Sequence, residues 1–225
     1  MTTILRTPAA TGTTLSRTSA RFGLAFSVGQ VGVMVAMATL VLPRGGRLGM
    51  DPTEWGQRVL DAEQWFRLGN YVFLLAGMLL LGFLGVVHER LRRVDPSGVL
   101  STVAVGAGVV VSFVWPYAAI LHDVAIEAAG TGADPRMLAG WDSVAPYSLA
   151  FSAVPRIFFV GALVLGLRRA GTAPRLQRVG VALLPLFLVG SATLVLGAAF
   201  PVLALSTLAY EIWVGALAWH WLRHD

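Results

Sequence analysis

Two ionisable side chains, Arg156 and Glu211, stand inside long apolar stretches of the sequence, where charge is rare. A charged side chain at the centre of a bilayer costs on the order of 2.5–3.5 kcal/mol even on lenient insertion scales, so each needs a partner or a task. Arg156 follows Pro146 by ten residues and Glu211 follows Pro201 by ten. At the rise of an α-helix, both then lie about 15 Å below the same edge of an apolar slab. Opposite charges at matching depth have reason to face each other. Their neighbours share the pattern: Ser148, Ser152 and Arg156 recur every four residues, as do Thr207, Glu211 and Gly215, so each set lines one helix face. Arg156, Glu211, Ser152 and Thr207 are therefore the candidate site. The chemistry has two readings. The first is a buried ion pair that fixes helix register. The second is a substrate or proton site at the membrane midplane, where transporters place theirs.

Other chemistries lack their residues. There is no cysteine, which excludes disulfides, thiolate metal sites, iron–sulfur clusters and thiol catalysis. His88 and His220 fall at helix ends, shallower than a two-histidine haem requires. Asp123 and Glu127 share a helix face from which His122 points away, so no metal site is expected there. No serine lies in a nucleophile-elbow pattern, and no histidine lies at membrane depth to activate one. The phosphate loop, the dinucleotide fingerprint and the zinc-protease pair are all missing. No cofactor is expected, and the balance leans away from an enzyme.

The elements that must position Arg156 and Glu211 are transmembrane helices. Of 225 residues, 56% are hydrophobic and 13% charged, where ordinary soluble domains carry about 25% charged residues. A span needs roughly 20 apolar residues. Six blocks qualify, over residues 22–42, 68–87, 99–121, 146–167, 179–200 and 201–222. The fold class is an all-α polytopic transmembrane bundle, a single domain over residues 21–225. Residues 1–20, rich in Thr, Ser and Ala, read as a disordered cytoplasmic tail.

Orientation follows from arginine, which supplies all 17 basic residues. Arg6, Arg17, Arg21, Arg90, Arg92, Arg93, Arg168, Arg169, Arg175, Arg178 and Arg223 fall on one side. Arg44, Arg47, Arg58, Arg67 and Arg136 fall on the other. The positive-inside rule makes the first side cytoplasmic, with both termini inside. The net charge of +5 then reflects membrane flanks rather than nucleic-acid binding. The small residues Ala36 and Ala38 near the end of the first block also fit a cleaved signal peptide, which would leave five spans in the same orientation.

Outside the spans, Asp51-Pro52-Thr53-Glu54 carries a helix cap, a first-turn proline and a capping-box glutamate. Trp55, Val59, Ala62 and Phe66 follow at helical spacing, which predicts an amphipathic helix over 52–66. It either lies in the outer interface, with Val59 toward lipid and Asp61 toward water, or extends the second span. Trp65, Tyr71, Tyr147, Trp219 and Trp221 fall at span ends and read as interfacial anchors, as does Trp141 in the second outer connection. Ala104, Gly108 and Ser112 form a small-residue ladder for close packing. With Pro116 beyond it to bend the helix, this marks the third span as the central one.

Arg168-Arg169 through Ala173-Pro174-Arg175 into a glycine-rich fifth span resembles a large group of uncharacterised six-helix bacterial integral membrane proteins. Long first and second outer connections and a short last one are similar too. The resemblance implies a six-helix plasma-membrane protein and no particular activity. The leading expectation is a non-enzymatic structural, accessory or regulatory component in contact with lipid and with a second copy or another membrane subunit. A small-solute or proton-coupled transporter using Arg156 and Glu211 is the alternative. A membrane enzyme acting on lipid or isoprenoid substrates ranks last, because only Glu211 offers a buried acid.

Overall fold

The computed structural model describes residues 10–45, 50–141 and 144–224. Six helical segments are long and apolar enough to cross a membrane: Thr14–Arg44, Glu63–Val94, Val99–Gly130, Tyr147–Ala170, Pro174–Leu194 and Gly197–Arg223. No strand occurs among the described residues. The all-helical, six-span architecture is the one the apolar blocks predict.

Helix α1 (Ala10–Ala36) starts inside the stretch expected to be a disordered tail; residues 1–9 lie outside the described set. Serine and threonine are poor helix formers, so tertiary contact has to hold this turn. Ser19 supplies it. Its hydroxyl donates to the Gly82 carbonyl at 2.5 Å and accepts from the Val86 amide at 2.8 Å. A π-helical turn over Met37–Val41 and a 3-10 turn over Leu42–Arg44 close the segment.

The single helix predicted over 52–66 is two. α2 (Pro52–Asp61) is capped as expected, with the Asp51 carboxylate accepting from the Thr53 and Glu54 amides at 2.9 and 3.2 Å. Ala62 then leaves helical geometry (φ −103°, ψ 15°), and α3 (Glu63–Val94) begins a new axis. Val59 does not face lipid. It is fully buried in a cluster with Val41, Phe66, Ile126 and Leu138. The amphipathic face of α2 is covered by protein, including the short helix α5 (Arg136–Trp141). Gly56 permits that packing, because a Cβ there would overlap the Pro135 carbonyl.

α4 (Val99–Gly130) follows a tight turn built on Asp95. Its carboxylate accepts from the Leu100 amide at 2.9 Å and the Ser97 hydroxyl at 2.6 Å, and it meets Arg169 at 3.2 Å. The Leu100 amide, then Ser97, and the nearby Arg169 charge hold its pKa below the ordinary value of 3.8. Gly98, at φ +79°, makes the left-handed step that few other residues tolerate. The helix runs through Pro116 without interruption.

α6 (Val144–Ala170) hands over to α7 (Pro174–Ser191) through a short turn. α7 ends well before the expected boundary at Phe200. Residues 192–199 form two 3-10 turns around an extended Leu196, and α8 (Phe200–Arg223) follows. The local reason is chemical. Ser191 turns its hydroxyl back onto the Leu188 carbonyl, and Gly197 lowers helix propensity in the same stretch.

The six long helices close into a ring in the order α1, α3, α4, α6, α7, α8 and back to α1, and α6 also touches α3 and α8 across the middle. α6 is thus the central helix rather than α4. Its most apolar stretch is 61% buried, against 44% for α4. The small-residue ladder of α4 does pack closely, since a Cβ on Gly108 would press on Leu84 and Phe159. Trp65, Tyr71, Tyr147 and Trp219 are exposed near helix ends. Trp221 is not an anchor: it is buried and stacked on Phe83. The Trp141 side chain lies outside the described residues.

Candidate functional site

Arg156 and Glu211 both reach the interior of the ring, 1% and 0% exposed. Pro155 precedes Arg156 in α6. A proline inside a helix lacks an amide hydrogen and so frees the carbonyl four residues earlier, here that of Phe151. α8 presents Ser206, Thr207, Tyr210 and Glu211 to the same interior, all fully buried.

The two charges do not form an ion pair. Arg156 instead donates from Nη1 to the Thr207 hydroxyl at 2.6 Å, and its guanidinium carbon sits 4.9 Å from the centre of the Tyr210 ring. The Thr207 hydroxyl in turn donates a hydrogen bond to the Leu203 carbonyl at 2.8 Å. Tyr210 is held by three aromatic edges, Phe26 from α1 at 6.3 Å, Phe159 from α6 at 6.1 Å and Phe187 from α7 at 6.1 Å. Edge-to-face pairs of this kind are each worth about 0.5–1.5 kcal/mol beyond burial. The Arg156–Tyr210 stack is therefore fixed from three helices.

Neither carboxyl oxygen of Glu211 has a hydrogen-bond partner among the described residues. The same is true of the Tyr210 hydroxyl, Arg156 Nε and both ends of the Gln30 amide. Gln30 is fully buried on α1, and the packing of α1 on α8 sets its level. A Cβ on Gly23 would touch Ala218, and one on Gly215 would overlap the Ser27 hydroxyl. In this antiparallel register the next turn brings Gln30 level with Glu211. A buried polar atom left without a partner costs about 1–3 kcal/mol, and native proteins carry few of them. Concentrated at one depth, these groups offer donors (Arg156 Nε, the Gln30 amide, the Tyr210 hydroxyl) and acceptors (Glu211, the Gln30 carbonyl) to a small polar guest.

Of the predicted site residues, the fold brings Arg156 and Thr207 into contact. It buries Glu211 one turn further along α8. Ser152 is buried on the Arg156 face but donates to the Leu149 carbonyl of its own helix at 2.6 Å. Gln30 and Tyr210 join them from outside the set that sequence spacing marks. A lone glutamine inside the first apolar block was the available signal for Gln30. The histidines lie apart: His88 bonds Ser101 at 2.6 Å, while the His220 ring lies 4.3 Å from that of His224. No group of three or more His, Asp or Glu among the described residues is placed to hold a metal ion.

Comparison with protein-family models, curated proteins and solved structures finds no match to this chain.

Proposed function

We propose that this multi-pass membrane protein is a small-solute or proton-coupled carrier whose site is the cluster of Arg156, Thr207, Tyr210, Glu211 and Gln30. In this reading it lies in a plasma membrane with both termini cytoplasmic, as the arginine distribution implies. One observation carries the proposal. Glu211 is fully buried within one helical turn of Thr207, the partner of Arg156, yet no group among the described residues satisfies its carboxyl oxygens. An ion pair serving only as a staple would join the two charges, because an unpaired buried charge costs more than a paired one. A guest that bridges Arg156 and Glu211 accounts for both groups. Carriers place their sites at the midplane, and Pro155, inside the continuous helix α6, stands directly beside Arg156.

The accessory-subunit reading also has an observation in its favour. Arg156 is closely packed, with its guanidinium on Tyr210 and a hydroxyl partner, as a structural arginine would be. The two readings separate in a ligand screen. Purified protein is heated in detergent with single amino acids, amines, carboxylates, amides and polyols, and proton movement is followed in vesicles with a trapped pH dye. A ligand raises the unfolding temperature through mass action. The carrier reading expects at least one solute, or a proton flux above protein-free vesicles, that is lost in Glu211→Gln while the fold persists. A screen with neither response, or a response that survives Glu211→Gln and Arg156→Leu, rejects it.

A further inference from the structure

We infer that the guest of the Arg156–Glu211 cluster is a small zwitterion, with a primary ammonium at one end and a carboxylate at the other. The inference rests on the carrier reading and names the class of solute that such a carrier takes. Three charged residues are buried among the described ones, Asp95, Arg156 and Glu211. Asp95 is bound into the turn that starts α4. The interior cluster thus holds one cation and one anion, and the anion makes no direct bond to the cation. Arg156 is anchored at Thr207, and Glu211 follows four residues later, about 6 Å further along α8.

Charge matching narrows the guest. A carboxylate alone answers Arg156 and leaves Glu211 without a counter-charge, and an amine alone does the reverse. A neutral amide or polyol leaves both. An uncompensated buried charge is the costly outcome, so a guest that carries both charges is the one that satisfies both residues. Counting donors and acceptors gives the same answer. A primary ammonium has three donors and no acceptor. Around Glu211 the unpartnered acceptors match it: both carboxyl oxygens and the Gln30 carbonyl, which α1 brings to the same level. A carboxylate only accepts, and Arg156 Nε, the Gln30 amide and the Tyr210 hydroxyl are donors without a partner among the described residues. The rings of Phe26, Phe159 and Phe187 hold Tyr210 in place, so its hydroxyl is a fixed donor rather than a swinging one.

The test measures the unfolding temperature of the full chain in a neutral detergent near neutral pH. Glycine, β-alanine and γ-aminobutyrate present the two charges at growing separation. Propylamine, propionate and propionamide present one charge or none, and trimethylglycine replaces the ammonium hydrogens with methyl groups. At least one primary zwitterion should act at on the order of tenfold lower concentration than any of the other probes, the factor that one added charge-assisted bond supplies. Glu211→Gln should abolish that advantage and pass the preference to propionate, because Arg156 is then the one charge left in the cluster. Should that variant fail to fold, Gln30→Met replaces it and should weaken the zwitterion response on the order of tenfold. The inference is overturned if no primary zwitterion shifts the parent protein, or if any of the other probes acts equally well. It is equally overturned if folded Glu211→Gln keeps the zwitterion preference, or if folded Gln30→Met keeps the whole response. The carrier reading outlives the first two results wherever another solute, or a proton flux, is lost in Glu211→Gln.

Discussion

The membrane-buried cluster and the end of the bundle near α2 treat polar groups in opposite ways. Near α2, Arg67 joins Glu63 and Glu127 at 2.6 Å each. Asn70, 5% exposed, donates to Asp123 at 2.8 Å and lies 3.1 Å from His122 Nδ1. Phe66 meets the His122 ring edge-on at 5.6 Å. This network links α3 to α4 by direct bonds. In the interior, Glu211, Gln30 and Tyr210 keep unused polar atoms. Buried polar networks stabilise when complete and cost stability when incomplete. A fold that joins Arg67, Glu63, Glu127, Asn70 and Asp123 by direct bonds at one end and gathers polar atoms without such bonds around Glu211 points to a use for the second group.

That contrast predicts a graded set of stabilities. The largest loss belongs to Arg156→Ala, which empties the space over Tyr210 and removes the donor that the Thr207 hydroxyl accepts from. About 3 kcal/mol is expected for a large buried side chain cut to alanine, read as the fall in unfolding free energy in detergent. Arg156→Lys should recover only part of this, since a lysine cannot lie flat on the ring. Gly56→Ala comes next. Its Cβ would strike the Pro135 carbonyl, a backbone atom, and an overpacked contact costs about 1–3 kcal/mol. Partial proteolysis near α2 and α5 should accelerate in that variant; unchanged cleavage would mean that α2 does not pack on α5.

Asn70→Ala tests the network near α2. It removes the amide that Asp123 accepts from, at about 1.5–3 kcal/mol for a bond to a charged group. A smaller effect is expected at Asp95, whose pKa is lowered by the Leu100 amide, Ser97 and Arg169. For a carboxylate depressed in the folded state, the stabilisation is complete above the unfolded value near 3.8 and fades as pH falls through the folded value. Asp95→Asn should therefore flatten the acid limb of the stability profile below about pH 5 and lower stability near neutrality. An unaltered acid limb would remove Asp95 from this role.

Much of this architecture is legible in the residues. Apolar length alone gives six spans, because backbone groups in lipid must be satisfied within each helix. The Asp51 cap is equally local, and the expected bonds are present. What the sequence could not fix is rotation about helix axes. Arg156 and Glu211 have matching depth, but Thr207, one turn earlier, meets the guanidinium. The burial of Val59 needed α5, a helix of six residues without a strong pattern of its own. The order around Ser19 came from a hydroxyl bridging to Gly82 and Val86 across the helix interface, which no local propensity announces. Gln30 became meaningful only once the register of α1 on α8 placed it beside the level of Glu211.

The central claim, that Glu211 is not stapled to Arg156 but held available inside the ring, is tested most directly by the unfolding free energy of Glu211→Gln against the parent in the same detergent. The account predicts a difference within about 1 kcal/mol, because no direct bond to the carboxyl is lost. A loss of about 3–5 kcal/mol, as when one partner of a buried ion pair is removed, would contradict it.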